Sequence, residues 1–157
     1  AGPSTGAGRD VAAWRETKRE EARAEGAEWL EVVEALGPVL PRDIVVGADN
    51  AMACYYGAMT NLATYTPGSF LFPAGFGTLG YGLPAAIGAK VADPDRPVLA
   101  MLGDGGVMFT VQELAAAADL GLALPVLVVD RPTVIHLTVP ATPQATPQDP
   151  TAEGGAA

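Results

Sequence analysis

"VLAMLGDGGVMFTVQEL", residues 98–114, decides how this chain is read. Five apolar residues, Val98 to Leu102, run into Gly103-Asp104-Gly105-Gly106, and a segment of helical character follows at once. A run with no polar face suits a parallel strand covered on both sides. Strand, glycine turn and helix in that order is where open α/β sheets bind ligands. Glycines let the backbone come close to a phosphate. The amides of Gly105 and Gly106, with those of the helix start, can bind its oxygens. Asp104 repels a phosphate unless a divalent cation lies between them, and Mg²⁺ commonly joins a carboxylate to phosphates in this way. The stretch therefore reads either as the seat of a metal-bridged diphosphate or as a turn that an Asp merely caps.

The flanking text supplies the fold. "LPVLVVD" (124–130) and "DIVVG" (43–47) read as further buried strands, and "SFLFPAGFGTLGYG" (69–82) as a short strand and a glycine-rich loop. "LPAAIGAKVA" (83–92) reads as a helix, with Pro84 in its first turn and Leu83, Ile87 and Val91 recurring every fourth residue. Its remaining positions are largely Ala and Gly, which implies a very close neighbour. Thr110 and Glu113 stand as a capping box for "VQELAAAADL", which Gly121 is placed to end. "NAMACYYGAMTNL" (50–62) reads as helix. So does the charged segment 10–36, broken at Gly26, with Trp14, Trp29, Leu30, Val33 and Leu36 as its apolar edge. Strands alternating with helices give an α/β fold, Rossmann-like and three-layered, with a mostly parallel sheet that is incomplete at the carboxyl end. Three regions follow: a flexible lead-in and linker helix (1–26), the ligand-binding domain (27–131) and a low-complexity tail (132–157). "TVIHLTV" in the tail could form one more strand, and disorder is expected from Pro140 onward.

Bulk properties narrow the partners. The chain has 157 residues, one domain's length, with 49% hydrophobic residues and a net charge of −9. Its pI of about 4.4 comes with no basic patch, which argues against nucleic acid and anionic membranes. A polyanionic ligand needs local help from backbone amides or a metal. The single cysteine, Cys54, permits no intrachain disulfide and fits a cytoplasmic location. No apolar run reaches the length of a membrane span, and no signal-peptide pattern opens the chain. The lack of an initial Met reads as that of a fragment or processed product.

Two other loops compete with the glycine turn. "GFGTLG" (75–80) matches G-x-G-x-x-G, and Asp95 follows at about the spacing a nicotinamide dinucleotide site requires. However, Asp95 precedes strand 98–102 rather than ending it, so tight turns are the simpler account of these glycines. At the end of the last strand, Asp130 has the chemistry of a metal ligand. Arg131 does not, although it could contact phosphate.

Taken together, "FGTLGYGLPAAIGAKVADPDRPVLAMLGDGGVMFTVQELAAAADLGLALPVLVVD" resembles the carboxyl-terminal, diphosphate-binding domain of thiamine-diphosphate enzymes, nearest to the acetolactate synthase-like and 2-oxo acid decarboxylase-like group. "DIVVGADNAMACYYGA" extends the likeness upstream. The resemblance implies thiamine diphosphate and Mg²⁺ as cofactors. Asp104, after Gly103, would ligate the metal, and the amides of Gly105 and Gly106 would hold the diphosphate. Leu79 would lie under the thiazolium and force the bent cofactor shape. The Gly77 carbonyl would accept the aminopyrimidine hydrogen bond, and Asp49 to Met52 would lie near the diphosphate. The implied activity is decarboxylation of a 2-oxo acid or carboligation onto a second one.

Departures are equally specific. Relatives end the next strand with Asn-Asn or Asp-Asn, and the final Asn binds metal. Here Arg131 stands at that second-ligand position, and Pro132 replaces the start of a glycine-containing loop. Relatives also activate the cofactor with a glutamate from a partner subunit, which implies a homodimer or tetramer and no catalytic residue within these 157 residues. The chain alone is then expected to be inactive, and a degenerate, non-catalytic fragment is the alternative. His136 has no plausible acid partner. Cys54 reads as a core residue, Tyr55, Tyr56 and Met52 as helix-to-sheet packing, Met108 and Phe109 as lining of the cofactor site or, more simply, as core, and Glu113 as a helix cap.

Overall fold

The computed structural model describes residues 11–130, together with the backbone of residues 133–139. Its helices are α1 (Val11–Gly26), α2 (Leu30–Leu36), a π-helical segment Ala53–Ala58 running into α3 (Met59–Asn61), α4 (Gly82–Ala92), α5 (Asp104–Met108) and α6 (Glu113–Asp119). Its strands are β1 (Val45–Ala48), β2 (Phe70–Leu71), β3 (Val98–Gly103), β4 (Leu124–Asp130) and β5 (Thr133–Val139). The sheet order is β2-β1-β3-β4-β5; the first four strands are parallel and β5 returns antiparallel to β4. The expected additional strand at "TVIHLTV" is therefore present. The lead-in before Val11, Arg131, Pro132 and the tail after Val139 lie outside the described residues.

The three apolar strands are covered on both faces, as their composition requires. Val46, Ala48, Leu99, Met101, Leu127 and Val129 pack on one side against Trp29, Val33, Cys54 and Ala58. Val45, Val98, Ala100, Leu102, Val126 and Val128 pack on the other against Leu83, Ala86, Val107 and Ala117. Alternate residues of one strand thus serve opposite layers.

The Ala/Gly surface of α4 meets β1 at a Gly–Gly crossing. A Cβ added to Gly47 would lie 2.7 Å from the Gly82 carbonyl oxygen, and one added to Gly82 would lie 2.8 Å from the Asp49 amide. Val91 of α4 is 51% exposed, so the apolar stripe of that helix is only two residues long. The expected break after α1 also occurs, but not through glycine freedom. Gly26 is right-handed (φ −64°) and Ala27 takes the positive φ of 39°. A Cβ at Gly26 would lie 2.8 Å from Leu30 Cδ2, so a side chain there would have to displace Leu30.

At the amino end of the sheet, Arg96 closes the structure. Its guanidinium donates to the Asp43 carbonyl (2.7 Å) and to the hydroxyls of Thr66 and Ser69 (2.8 and 3.0 Å). No equivalent cation closes the carboxyl end among the described residues.

Cys54 is fully buried, its Sγ 3.3 Å from the Met101 carbonyl. Burial pushes its thiol up to about 12, so it stays protonated. Because the folded state holds this proton more tightly, the associated stability is complete below the unfolded thiol's range and declines as pH rises toward about 12. A thiol reagent at pH 8 should therefore label Cys54 only after denaturation; rapid labelling of the native chain would contradict its burial. Two glycines of α4 should respond with opposite signs in denaturant titrations. Gly82→Ala should lose about 1–3 kcal/mol by overpacking. Gly88→Ala, whose added Cβ meets nothing within 4 Å, should gain up to about 1 kcal/mol from helix propensity.

Candidate functional site

The chain leaves β1 toward β2 on one side and reaches β3 on the other, so the carboxyl ends of β1 and β3 flank a topological switch point. Connections diverge there and leave a crevice. Each strand delivers an aspartate to it: Asp49 follows Ala48, and Asp104 follows Gly103. These two acids have opposite environments.

Asp49 is completely buried. Its carboxylate accepts the Gly80 amide on both oxygens (2.9 and 3.0 Å), the Tyr81 amide (3.3 Å) and the Asn50 amide (2.9 Å). A buried charge requires such donors. A Cβ on Gly106 would overlap Asp49 Oδ2, so Gly106 has no alternative to glycine. Gly103 is similarly confined by the Ala51 side chain at 2.8 Å.

Asp104 opens α5 and is exposed, and among the described residues its carboxylate has no hydrogen-bond or ion-pair partner. It does not cap its turn; the N-cap is Gly103, extended at φ −88°, ψ 160°. It faces a cleft of about 720 Å³ lined also by Glu28, Trp29, Met52, Ala53, Val129 and Asp130. A Cβ at Gly105 would meet nothing within 4 Å, so the fold itself does not demand glycine at this bare stretch of backbone. Asp130, exposed at the end of β4, and Glu28 bring two further carboxylates to the cleft. No group of three His, Cys, Asp or Glu side chains converges as a metal cage among the described residues. Carboxylates on an open cleft that do not converge as a cage form a hard, incomplete donor set. That set suits Mg²⁺, which keeps water and ligand oxygens in its shell.

The loop from Gly75 to Gly80 rises on the other side of Asp49. Gly75, Gly77 and Gly80 all take positive φ (95°, 63° and 82°), which explains their identity as turn residues. Asn50 Nδ2 donates to the Gly77 carbonyl at 2.8 Å. Leu79 is 43% exposed, and Phe76, Met108 and Phe109 stand out still further.

Several sequence expectations change here. The capping box does not form: Thr110 Oγ1 is buried without a partner, and α6 starts after Gln112 with no side-chain cap. The Glu113 amide donates instead to the Thr110 backbone carbonyl (2.9 Å), which leaves the hydroxyl without its capping donor. Met108 and Phe109 are surface residues rather than core, and Met52 and Tyr56 are also exposed. Small residues (Ala53, Cys54, Gly57 and Ala58) pack that helix instead. Asp95 lies in the turn before β3, at the opposite end of that strand from the crevice, so "GFGTLG" lacks the acid a dinucleotide site needs. His136 pairs in register with Leu127 on β5. Asp49 and Asn50 gained their importance only in the fold. Their signal was present as "VVGADN", a second buried strand ending in Asp, parallel to "AMLGDGG".

Residues 51–131 match the thiamine pyrophosphate enzyme, C-terminal TPP binding domain. The chain is 46% identical over 88 residues to the probable 2-ketoarginine decarboxylase AruI of Pseudomonas aeruginosa, covering 56% of this chain and 16% of that protein. It is 45% identical over 64 residues to the acetolactate synthase isozyme 1 large subunit of Escherichia coli, covering 41% and 11%. Among solved structures, the thiamine diphosphate-dependent 4-hydroxybenzoylformate decarboxylase of Rhodococcus jostii RHA1 superposes with a TM-score of 0.57 at 27% identity, covering 65% of this chain and 19% of that one. The chain thus spans under a fifth of the length of these relatives. The chain belongs to the family of thiamine pyrophosphate enzymes through their C-terminal TPP-binding domain, whose cofactor is thiamine diphosphate with Mg²⁺.

Proposed function

We propose that the switch-point crevice holds thiamine diphosphate through Mg²⁺, and that in the whole protein this domain serves the cleavage or ligation of 2-oxo acids. The observation that carries this reading is Asp104: an exposed carboxylate, unpartnered among the described residues, beside bare glycine backbone on a cleft at the carboxyl end of a buried strand. Asp104 binds the metal, and the amides of Gly105 and Gly106 take diphosphate oxygens. Asp130 is a further carboxylate available to the metal, one strand across from Asp104, and Glu28 lines the same cleft. Leu79 presents an apolar side chain to the cofactor rings, and the Gly77 carbonyl offers the aminopyrimidine an acceptor.

The bound cofactor supplies an electron sink for carbon–carbon bond cleavage. The chain's own residues bind and orient it. The proton-relay glutamate belongs to a partner subunit in this reading, which makes a homodimer or tetramer the working unit. The outward-facing Phe76, Leu79, Met108 and Phe109 form an apolar rim of the kind that an adjoining subunit covers.

Calorimetric titration of the chain with thiamine diphosphate, with and without Mg²⁺, checks the proposal. Wild type should bind only with the metal, and Asp104→Ala should lower affinity at least about tenfold, or 1.4 kcal/mol. Asp130→Ala should raise the Mg²⁺ concentration needed for half-saturation. Metal-independent binding, or an Asp104→Ala variant that binds as wild type, would overturn the assignment.

A further inference from the structure

The two ends of the crevice are tied together by residues that touch no part of the open cleft. Asp49 and Asn50 follow β1 directly, and between them they hold the Gly77–Tyr81 loop at both of its ends. Asn50 Nδ2 fixes the first residue through the Gly77 carbonyl (2.8 Å). The Asp49 carboxylate fixes the last two through the amides of Gly80 (2.9 and 3.0 Å) and Tyr81 (3.3 Å). Hydrogen bonds to a charged acceptor are the stronger kind. Gly77 and Gly80 are both left-handed, and a Cβ on Gly77 would lie 2.9 Å from Asn50 Nδ2, so both positions call for glycine and the loop takes its shape from its pins. Thr78 and Leu79 lie between the two pins and are exposed. On its other side the Asp49 carboxylate sits against Gly106 so closely that no side chain fits there. One buried carboxylate therefore sets the spacing between the glycine turn and the loop that carries Leu79.

We infer that Asp49 and Asn50 are positioning residues, which clamp the Gly77–Tyr81 loop so that Leu79 is already in place for the ring portion of the cofactor when the glycine turn takes the diphosphate. This rests on the cofactor reading proposed above. Holding a contact residue in its bound position before binding removes ordering cost from the binding step. Asp49 also bears on Gly106 of the glycine turn, whereas the Asn50 arm holds only the loop. Loss of the Asn50 arm should therefore separate two ligands that share a diphosphate: thiamine diphosphate, which has the rings, and inorganic pyrophosphate, which does not.

The principal variant is Asn50→Ala, which leaves the buried Asp49 charge and its amide donors in place. Its fold is checked by circular dichroism. With saturating Mg²⁺, affinity for thiamine diphosphate should fall about tenfold, while affinity for inorganic pyrophosphate stays within about twofold of wild type. Asp104→Ala should weaken both. In Asp49→Asn, which turns a donor toward the Gly80 amide, hydrogen exchange at Gly80 and Tyr81 should accelerate while β3 amides keep their protection. Equal weakening of both ligands by Asn50→Ala would make Asn50 a general structural residue and overturn the inference. Unchanged thiamine diphosphate affinity, or unchanged exchange at Gly80, would overturn it as well. If Asp104→Ala loses both ligands as expected, such a result leaves the cofactor reading standing. A wild-type chain that binds neither ligand overturns that reading and this inference together.

Discussion

A buried carboxylate held by backbone amides organises this domain. Asp49 is wholly buried at the end of β1, and its charge is carried by backbone amides from its own neighbour and from a loop about thirty residues onward. Removing those donors would leave a buried charge unsatisfied, at a cost of several kcal/mol. The demand runs both ways. The carboxylate needs the Gly80 loop in place, and the loop, built on left-handed glycines, needs the carboxylate to choose one of its conformations. Gly106 completes the arrangement, because only a residue without a side chain lets the GDGG turn close over Asp49.

Around this anchor the sheet divides labour between its ends. At the amino end, Arg96 ties loops to one another and closes the structure. At the carboxyl end, the backbone of Gly105 is bare, the Asp104 carboxylate is unpartnered among the described residues, and apolar side chains face outward. Each feature is unfavourable or neutral for folding alone, and each fits a site that another molecule completes. The overall charge of −9 makes a polyanion a poor ligand unless its charge is met locally. A metal on Asp104 and amides from the turn provide that local compensation, which is why the cation matters more here than it would on a basic protein.

The sequence was most legible where composition is one-sided. β3 and β4 are apolar on both faces and could be little else than covered parallel strands. The family likeness was legible because GLPAAIGA, GDGG and FTVQELAAA occur in order, and residues 51–131 match the family. The crowding around α4 could also be read from its Ala and Gly content, although not that Gly47 is its partner. What could not be read depends on long-range geometry. The capping box T-x-x-E had the right letters, but the Glu113 amide went to the Thr110 carbonyl and left its hydroxyl buried without a partner. Met108 and Phe109 look like core residues by hydrophobicity, yet α5 is short and turns them outward. Asp49 seemed secondary to Asp104, because a buried aspartate cannot be told from an exposed one until its donors, far away in sequence, are placed.

The central claim is that the cation sits at Asp104, at the switch point between β1 and β3. Replacing Mg²⁺ with Mn²⁺ in the presence of thiamine diphosphate, and recording paramagnetic broadening of backbone amides by NMR, locates it directly. Broadening centred on Asp104, Gly105, Gly106 and Asp130 is the result this account predicts. Broadening centred on the glutamates of α1 and α2, with the GDGG turn left sharp, would contradict it.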